Sequence, residues 1–600
     1  MVNLKTKPFH LKDEQIKWVE DTIASMTIRE KIGQLFVHLT GSFKEEDVIA
    51  DIKATNLGAI RFNPRSKDEM WEMNYNFQKH SKVPVLSAVN VELGGKGASK
   101  DGTHVGSEMK VAATNDKKYA YELGRISGIE SKATGSNWAF SPIVDLVTDW
   151  HNPGISTRGW GSDPDLVLSL SKEYFKGISE SGIACAMKHF PGDGSDERDP
   201  HICTSVNNLS CEEWDATYGK VYEGMIEAGI QSLMPGHIML PAYQRHFNPG
   251  LQDHELLPAT LSKEILIDLL RGKLGFNGLV VTDASHMVGL SGRARRSDLV
   301  PGAIMAGCDM FLFFNDIEED MKFMLDAYHD GRLTEERLHD ALRRILGLKA
   351  VVDLDTFTLD KFITKEGLSI IGCEAHLKIT KEVSDKAITL VKQVGDNIFP
   401  VTPEKYKRIL LVPVGPQGDP HLAMAGMGVD GTSLKNTLKT KLEDKGFTVE
   451  IYVDPMSKIL EMMKTMTQEE IDQLRKGQNT KQNKGAYGMK QSIAALTENY
   501  DLVLCFANVS GTMRTTQRLE WALSKGGWDN PWYVNEIPTI FASFNCPFHL
   551  ADVPQIKNFI NCYDAHDTTI DALISKLLGE SDFTGISPVD AFCGLLDTRF

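Results

Sequence analysis

The chain has 600 residues, a formal net charge of −16 at pH 7 and 42% hydrophobic residues. This length exceeds what one hydrophobic core normally serves, so two or three domains are expected. The acidic balance argues against a nucleic-acid partner, because proteins that bind phosphate backbones present basic surfaces, and no run of about 18 apolar residues predicts a membrane span.

Cysteine usage and the first residues bear on the compartment. The 9 cysteines are odd in number and form no CxxC pair, which argues against a disulfide framework and a zinc ribbon. The N-terminal segment lacks the apolar stretch that marks a secretory signal. We therefore expect a cytoplasmic protein that is a monomer or a homodimer.

Short apolar runs alternate with amphipathic segments over residues 1–350. In chain order the predicted strands are Gln34–Leu39, Gly58–Phe62, Pro84–Asn90, Trp138–Asp145, Cys185–Phe190, Gln231–His237, Gly278–Ala284 and Met310–Phe314. Helices are predicted at Asp13–Met26, Lys44–Thr55, Lys117–Ala133, Asp163–Ser181, Cys211–Ala228 and Ser262–Leu274. Eight strand–helix units favour a (β/α)8 TIM-type barrel, although an open doubly wound sheet fits the alternation nearly as well.

A second α/β pattern follows the closing helix predicted at Leu333–Leu354. Four strand-like runs, ILLVPVG, FTVEIYV, DLVLCFANVS and TIFASFNC, begin near Arg408 and predict a three-layer α/β sandwich. Residues 476–490 are poor in apolar residues and are predicted to be a mobile loop. The predicted organisation is a catalytic barrel at 1–354, a linker at 355–380 and a C-terminal sandwich domain at 381–600.

Several predicted strands end in side chains that could carry out chemistry. These are Asn90, Asp145, Lys188, His189, His237 and Asp283. In a barrel the carboxyl ends of the strands form one face, which is where active sites lie. Polar residues can also simply mark strand ends, but that explanation weakens when several of them converge.

The segment 188–201, KHFPGDGSDERDPH, is the most informative part of the chain. Its proline and glycines allow a sharp, irregular loop after a buried strand. Asp199 and His201 are two residues apart, so in an extended segment their side chains point the same way. A carboxylate beside an imidazole fixes its tautomer and raises its basicity. The alternative is a polar surface loop.

Asp283 ends the apolar run in GLVVTDASHM. A carboxylate fixed at a strand end is well placed to act as a nucleophile, whereas the alternative is a helix N-cap.

These segments resemble glycoside hydrolase family 3, in its β-N-acetylglucosaminidase branch. KHFPGDGSDERDPH is similar to the K-H-[FI]-P-G-x-G signature with its later Asp-x-His pair, and GLVVTDASHM is similar to the nucleophile strand. The agreement covers most of residues 20–350 through NLGAIRF, NVELGGKG, NWAFSPIVD, TRGWGSDP and SLMPGHIMLPA. Residues 370–600 resemble the family's C-terminal sandwich more loosely.

The resemblance implies a retaining, exo-acting glycoside hydrolase that removes terminal β-linked N-acetylglucosamine through a covalent glycosyl-enzyme. It gives Asp283 the role of nucleophile, His201 that of acid/base, and Asp199 that of orienting His201. It gives sugar contacts to Asn90, Arg158, Lys188, His189 and His237; for His237 a satisfied core histidine is the alternative. Fragments of peptidoglycan or chitin are the expected substrates, in cell wall recycling, and no metal or organic cofactor is implied.

The chain departs from the family pattern at three positions near these residues. Asn90 stands where an aspartate is usual, Asp193 replaces a histidine and Pro200 replaces a serine. An amide donates as well as accepts hydrogen bonds, so recognition of sugar hydroxyls is expected to differ at Asn90.

Three alternative functions remain open from the sequence. The first is a glycoside phosphorylase, because a histidine acid/base does not repel phosphate as a carboxylate does. The second is a β-glucosidase or β-xylosidase that takes its acid/base from the C-terminal domain, where Glu520 is a candidate. The third is a non-catalytic sugar-binding protein.

Overall fold

The computed structural model describes residues 2–415, 431–453, 464, 467–468, 472, 492–511, 515–521 and 527–600. Their backbone contacts form two compact units. The first unit comprises residues 1–112, 116–383 and 511–516, and the second comprises 113–115, 384–510 and 517–600. The predicted loop at 476–490 lies outside the described residues.

The first unit contains a closed barrel of parallel strands, which confirms the predicted fold. The strands are β1 Phe36–Leu39, β2 Ala59–Arg61, β3 Leu86–Val89, β4 Trp138–Ala139, β5 Ala184–Phe190, β6 Ser232–Pro235, β7 Leu279–Ala284 and β8 Met310–Leu312. Each pairs in parallel with the next, and β8 pairs with β1 to close the ring. Every strand falls on a predicted apolar run, and most are shorter than predicted.

The run predicted at Trp138–Asp145 differs most from the observed strand. Only Trp138–Ala139 forms a ladder, after which Ile143 makes an isolated bridge to Lys188. Pro142 has no N–H to give to a ladder, so regular pairing stops before it. Asp145 therefore follows β4 in a loop rather than ending a long strand.

Helices surround the barrel, and the predicted ones are present with bounds shifted by a few residues. The α-helices of this unit are Asp13–Ser25, Ile28–Gly33, Glu45–Thr55, Lys67–His80, Glu108–Ala113, Lys118–Ala133, Pro164–Ser179, Cys211–Trp214, Lys220–Ala228, Pro241–Phe247, Val288–Ser291, Arg296–Ala306, Ile317–His329 and Glu335–Val351. Glu374–Ala387 leads into the second unit. Two π-helical segments, Asp215–Gly219 and Glu264–Lys273, lie within predicted helices.

Some helices were not predicted because their buried faces are partly polar or their pattern is broken. In Lys67–His80 the buried positions include Asn74, Asn76 and Gln78, which hides the apolar period on which such predictions rest. Arg296–Ala306 contains an internal proline, a residue that normally ends a helix.

Short 3₁₀ helices connect these elements. In the first unit they are Gly95–Gly97, Ser156–Arg158, Asp253–Glu255, Ala259–Leu261, Leu354–Thr356, Leu359–Lys361 and Lys365–Ile370. The last three fall in the predicted linker at 355–380, which belongs to the first unit. There the Trp71 indole donates a hydrogen bond of 2.7 Å to the Ile363 carbonyl. The domain boundaries themselves stay a prediction.

The second unit is a mixed six-stranded sheet. Its strands are β9 Thr389–Gln393, β10 Arg408–Pro413, β11 Thr448–Ile451, β12 Leu502–Ala507, β13 Thr539–Ser543 and β14 Asn558–Asn561, in the order β9-β14-β13-β12-β10-β11. Only the β9–β14 pair is antiparallel among these strands. Four of the six were predicted; β9 and β14 were missed because each carries polar residues within a run of four or five.

Both faces of this sheet are covered. Leu502, Leu504 and Phe506 of β12 pack into one apolar cluster, and the alternate residues Val503 and Cys505 pack into another. Helices Gly431–Asp444 and Asp567–Leu577 supply part of the first cluster. A strand buried on both faces reads as continuously apolar, so the three-layer sandwich is confirmed.

The described part of the chain contains no helix long and apolar enough to cross a bilayer.

Candidate active site

A pocket lies at the carboxyl ends of the barrel strands. Its lining residues are Gly154, Arg158, His189, Asp193, Asp199, Pro200, His201, Gly236, Ile238, Asp283 and Met287. The structure thus brings together five residues that the sequence singled out, Arg158, His189, Asp199, His201 and Asp283. The other three, Asn90, Lys188 and His237, are not part of this lining.

Asp145 fixes the backbone from which the pocket is built. Its fully buried carboxylate accepts hydrogen bonds from the backbone N–H groups of His189, at 3.1 Å, and Asp193, at 2.8 Å. It also contacts Nδ1 of the His189 ring at 2.7 Å. From the sequence, Asp145 was listed among the strand-end residues but was given no role. The feature that could have indicated its role is a carboxylate at the end of an apolar run.

Asp199 and His201 form a close pair at the edge of the pocket. The Asp199 carboxylate is fully buried and lies 2.6 Å from Nδ1 of His201, whose side chain is 26% exposed. The same carboxylate accepts the backbone N–H of His201 at 2.8 Å. Because Nδ1 faces the carboxylate, Nε2 is the ring nitrogen through which His201 can exchange a proton with a ligand.

Backbone hydrogen bonds join this pair to the segment that follows β7. The Val288 N–H donates to the His201 carbonyl at 3.1 Å, and the Gly289 N–H donates to the Pro200 carbonyl at 3.0 Å. A Cβ at Gly289 would lie 2.9 Å from the Pro200 oxygen, so this approach requires glycine. The histidine loop is therefore held against the strand that bears Asp283.

Glu92 holds two of the predicted sugar-binding cations. Its carboxylate accepts two hydrogen bonds of 3.0 Å from the Arg158 guanidinium and lies 2.6 Å from Nζ of Lys188. Burial would raise the pKa of Glu92, but the charges of Arg158 and Lys188 outweigh it and keep the pKa well below its ordinary value. Bidentate pairing of this kind fixes the planar guanidinium in one orientation.

The Asp283 carboxyl is ionised in this environment. Burial acts to raise its pKa, but the imidazoles of His189, His237 and His201 and a hydrogen bond from the Ala284 N–H lower the pKa to about 2. That hydrogen bond measures 2.7 Å. An ionised carboxylate held in place by its own backbone is the form that nucleophilic attack requires.

The pKa of the His201 imidazole is shifted upward, whereas that of Asp283 is shifted downward. Burial lowers its pKa, but the hydrogen bond and charge of Asp199, together with the charge of Asp283, raise the pKa above its ordinary value of 6.5. A protonated His201 next to an ionised Asp283 is therefore the favoured combination near neutral pH.

His237 is fully buried, and the protein provides partners for both of its ring nitrogens. Nδ1 lies 2.8 Å from the Thr260 hydroxyl and Nε2 lies 3.0 Å from the Ala284 carbonyl. Burial lowers the pKa of His237, and a neutral ring with Nε2 protonated satisfies both contacts. The geometry favours the packed histidine over a direct sugar contact and makes His237 a support for the segment after Asp283.

Asp193, which stands where the family pattern has a histidine, is a buried carboxyl in the pocket lining. It accepts hydrogen bonds from the Asn152 amide at 3.1 Å and the Gly194 N–H at 2.6 Å. Burial and the neighbouring Asp145 charge raise its pKa. Asn90 follows β3 and is partly exposed.

Comparisons with known proteins identify relatives over the whole chain. A family model described as "Glycosyl hydrolase family 3 N terminal domain" matches residues 27–348. A beta-N-acetylglucosaminidase/beta-glucosidase of Cellulomonas fimi is 38% identical over 600 residues and covers 100% of both chains. Beta-hexosaminidase A of Pseudoalteromonas piscicida is 28% identical over 341 residues, covering 54% of this chain and 56% of that protein.

Solved structures give the same result. The structure of beta-glucoside phosphorylase BglX has a TM-score of 0.87 at 36% identity and covers 99% of each chain. A family 3 beta-N-acetylglucosaminidase from Paenibacillus sp. str. FPU-7 shares the fold, with a TM-score of 0.72 at 24% identity over 95% of this chain and 100% of that one. The family model spans more than half of the chain and the Cellulomonas fimi relative spans all of it, so the chain belongs to glycoside hydrolase family 3.

Proposed function

We propose that this enzyme removes the terminal β-linked N-acetylglucosamine from oligosaccharides with retention of configuration. The observation that carries the proposal is the meeting, in one pocket, of an ionised Asp283 and the Asp199–His201 pair. A retaining glycosidase needs a nucleophile on one side of the anomeric carbon and an acid/base on the other. We extend the proposal to peptidoglycan or chitin fragments as substrates and to a cytoplasmic place of action.

In the first step the Asp283 carboxylate attacks the anomeric carbon, and His201 donates its Nε2 proton to the oxygen of the departing group. The raised pKa of His201 keeps that proton available near neutral pH. The buried Asp199 charge stabilises the imidazolium before transfer and keeps Nδ1 protonated throughout. The product of this step is a glycosyl ester on Asp283.

In the second step the now neutral His201 accepts a proton from a water molecule, which attacks the anomeric carbon and releases Asp283. The low pKa of Asp283 makes its carboxylate a good leaving group. Arg158 and Lys188, oriented by Glu92, present donors for the hydroxyls of the bound sugar.

The experiment that tests the proposal compares p-nitrophenyl β-N-acetylglucosaminide with the corresponding glucoside, xyloside and N-acetylgalactosaminide. We expect the highest kcat/KM with the N-acetylglucosaminide, and measurable turnover of the glucoside, because the Cellulomonas fimi relative bears both names. Turnover of the xyloside alone, or of no glycoside, would contradict the proposal. If no glycoside is turned over, the protein would be better described as a sugar-binding protein.

Phosphorolysis is a second candidate, favoured by the likeness to beta-glucoside phosphorylase BglX over 99% of each chain. Its distinguishing chemistry is attack by phosphate instead of water in the second step. A neutral His201 does not repel phosphate as an ionised carboxylate would, and Arg158 adds a positive charge in the pocket.

Product analysis separates the two acceptors. For hydrolysis we expect free sugar as the product and a turnover rate that does not depend on inorganic phosphate. For phosphorolysis the product is a sugar 1-phosphate, detected by ³¹P NMR, and the rate rises with phosphate concentration. Sulfate at equal ionic strength controls for a general salt effect.

The Asp199–His201 pair predicts a specific pH profile for kcat/KM with an alkyl glycoside, whose poor leaving group requires the acid. Asp283, with a pKa of about 2, is ionised over the whole working range. Activity should therefore be full below the raised pKa of His201 and fall as the pH rises through that pKa, above 6.5.

Asp199→Asn should move this alkaline limb to lower pH, because it removes the charge that raises the His201 pKa. Asp149→Asn is the matched control, since Asp149 makes the same contact, at 2.8 Å, with His151, which does not line the pocket. An alkaline limb that stays in place in Asp199→Asn would show that another group is the acid.

A further inference from the structure

Arg61, the last residue of β2, is a cation almost wholly enclosed by the barrel. The residue is 7% exposed, and its Nη1 is buried without a hydrogen-bond partner among the residues that the structure describes. Burial lowers the pKa of the guanidinium to about 10, against the raising effect of the Glu92 charge. The group nevertheless stays charged at neutral pH, and a guanidinium has five donors and no acceptor.

The strand register shows that Arg61 points into the barrel. It is in register with Leu39 of β1 and Ala88 of β3, and residues in register on parallel strands point to the same side. The residues before these two point outward: His38 contacts Asp51 on a surrounding helix at 3.3 Å, and Ser87 donates to Asn74 on another at 2.7 Å. Arg61 therefore faces inward, on the same side as Ala88.

The strand order places Arg61 on the far side of the barrel mouth from Asp283. In a closed ring of eight strands β3 stands opposite β7, and β2 is the neighbour of β3. A sugar whose anomeric carbon lies at Asp283 extends across the mouth toward β2 and β3. The ring atom of a pyranose that lies farthest from C1 is C4.

We propose that Arg61, which lies outside the pocket lining given above, donates hydrogen bonds to the C4 hydroxyl of a terminal sugar that extends across the barrel mouth. The inference rests on the proposed function and specifies which substrate group is recognised.

A ligand contact accounts for Arg61 better than a structural role does. A buried charge without a partner destabilises a fold, so a guanidinium kept there for packing alone would be poorly explained. Glu92, the carboxylate whose charge acts on Arg61, already pairs with Arg158 and Lys188. Asn90, which follows the adjacent strand β3, is a neutral amide, so it does not neutralise Arg61, and an amide can accept the proton of a hydroxyl.

The test measures how the effect of the hydroxyl depends on Arg61. With the wild-type enzyme, we expect the 4-deoxy form of the best p-nitrophenyl glycoside to lower kcat/KM roughly 10- to 100-fold, the range for a lost hydrogen bond to a charged group. With Arg61→Met, the parent substrate should lose a similar factor, and its 4-deoxy form should then differ from it by less than about threefold, because the partner is gone. The 6-deoxy substrate should keep its wild-type ratio in the variant.

Arg65→Met is the matched control, because Arg65 follows the same strand but its side chain is 48% exposed and pairs with Glu69. It should leave all ratios unchanged. A 4-deoxy effect of the same size in Arg61→Met as in wild type would overturn the inference, as would a 4-deoxy substrate that wild type accepts as well as the parent. The thermal midpoint of Arg61→Met should be unchanged or higher; a marked fall would show that Arg61 is structural.

If Arg61→Met fails to fold, Arg61→Lys takes its place as a charged variant of lower donor number: it should reduce the 4-deoxy effect and keep the 6-deoxy ratio, and an unchanged 4-deoxy effect would overturn the inference. An enzyme without activity on any glycoside would contradict the proposed function. An active enzyme that ignores the C4 hydroxyl would contradict only the role of Arg61.

Discussion

Asp283→Asn is expected to lower kcat/KM on every aryl β-glycoside by roughly 10⁴-fold or more, because an amide cannot form the glycosyl ester. The substitution keeps the size of the side chain and its hydrogen bond with the Ala284 N–H. The fold should therefore persist, with a thermal midpoint near that of the wild type. In wild type, a 2-deoxy-2-fluoroglycoside with a good leaving group should label Asp283, and peptide mass spectrometry identifies the modified residue.

Asp316→Asn is the matched control for this prediction. Asp316 follows β8, the strand next to β7, and its exposed carboxylate caps the helix Ile317–His329 by accepting the Glu319 N–H at 2.9 Å. Asparagine caps helices about as well as aspartate, so activity and stability should change little. A label on another carboxylate, or an Asp283→Asn enzyme that keeps more than about a tenth of its activity, would place the nucleophile elsewhere.

His201→Ala should show a loss that depends on the leaving group. With an alkyl glycoside we expect kcat to fall by about 10²- to 10⁴-fold, the usual contribution of general acid catalysis. With a dinitrophenyl glycoside, whose departure needs no proton, the first step should be nearly unaffected and release of the glycosyl-enzyme should become limiting. Azide, which attacks without a general base, should restore turnover and give a glycosyl azide of retained configuration.

His151→Ala is the matched control, because Asp149 and His151 repeat the Asp-x-His spacing and hydrogen bond on a half-exposed loop. It should change neither the leaving-group dependence nor the response to azide. If His201→Ala loses the same factor with alkyl and dinitrophenyl glycosides, His201 is not the acid, and a residue such as Glu520 becomes the candidate.

The barrel followed from the sequence because its strands are buried on both faces. All seven residues of β5 are buried, and such strands leave continuous apolar runs that need no knowledge of their neighbours. The order of the runs along the chain fits a ring, since parallel strands joined by helices often pair in sequence, but an open sheet fits it nearly as well. The pairing of β8 with β1 is what closes the barrel. The helix Lys67–His80 escaped prediction for the converse reason, because its buried face uses amides whose partners lie elsewhere in the chain.

The residues of the candidate site could be predicted only in part from local sequence patterns. Asp-x-His occurs at 149–151, 199–201, 419–421 and 564–566, and local spacing treats the four alike. Resemblance to a family selected the second, and the fold gives the reason: its backbone is hydrogen-bonded to the segment after β7, beside Asp283. Several Asp-x-His pairs have the same spacing, and only contacts between residues some 80 positions apart bring one of them beside Asp283. Local sequence patterns do not contain that information.

The type of fold could be predicted from the sequence alone, as could the strand ends at which the candidate site residues lie, whereas the Asp199–His201 pair stays a prediction that a family resemblance selected. Which polar residues remain available to a ligand became clear from the contacts in the folded protein. It provides both nitrogens of His237 with protein partners, assigns Asp145 to the loop backbone and leaves Nη1 of Arg61 buried without a partner among the described residues. The physical reason is that hydrogen-bond satisfaction is a property of pairs, and the partners of these side chains lie on other strands.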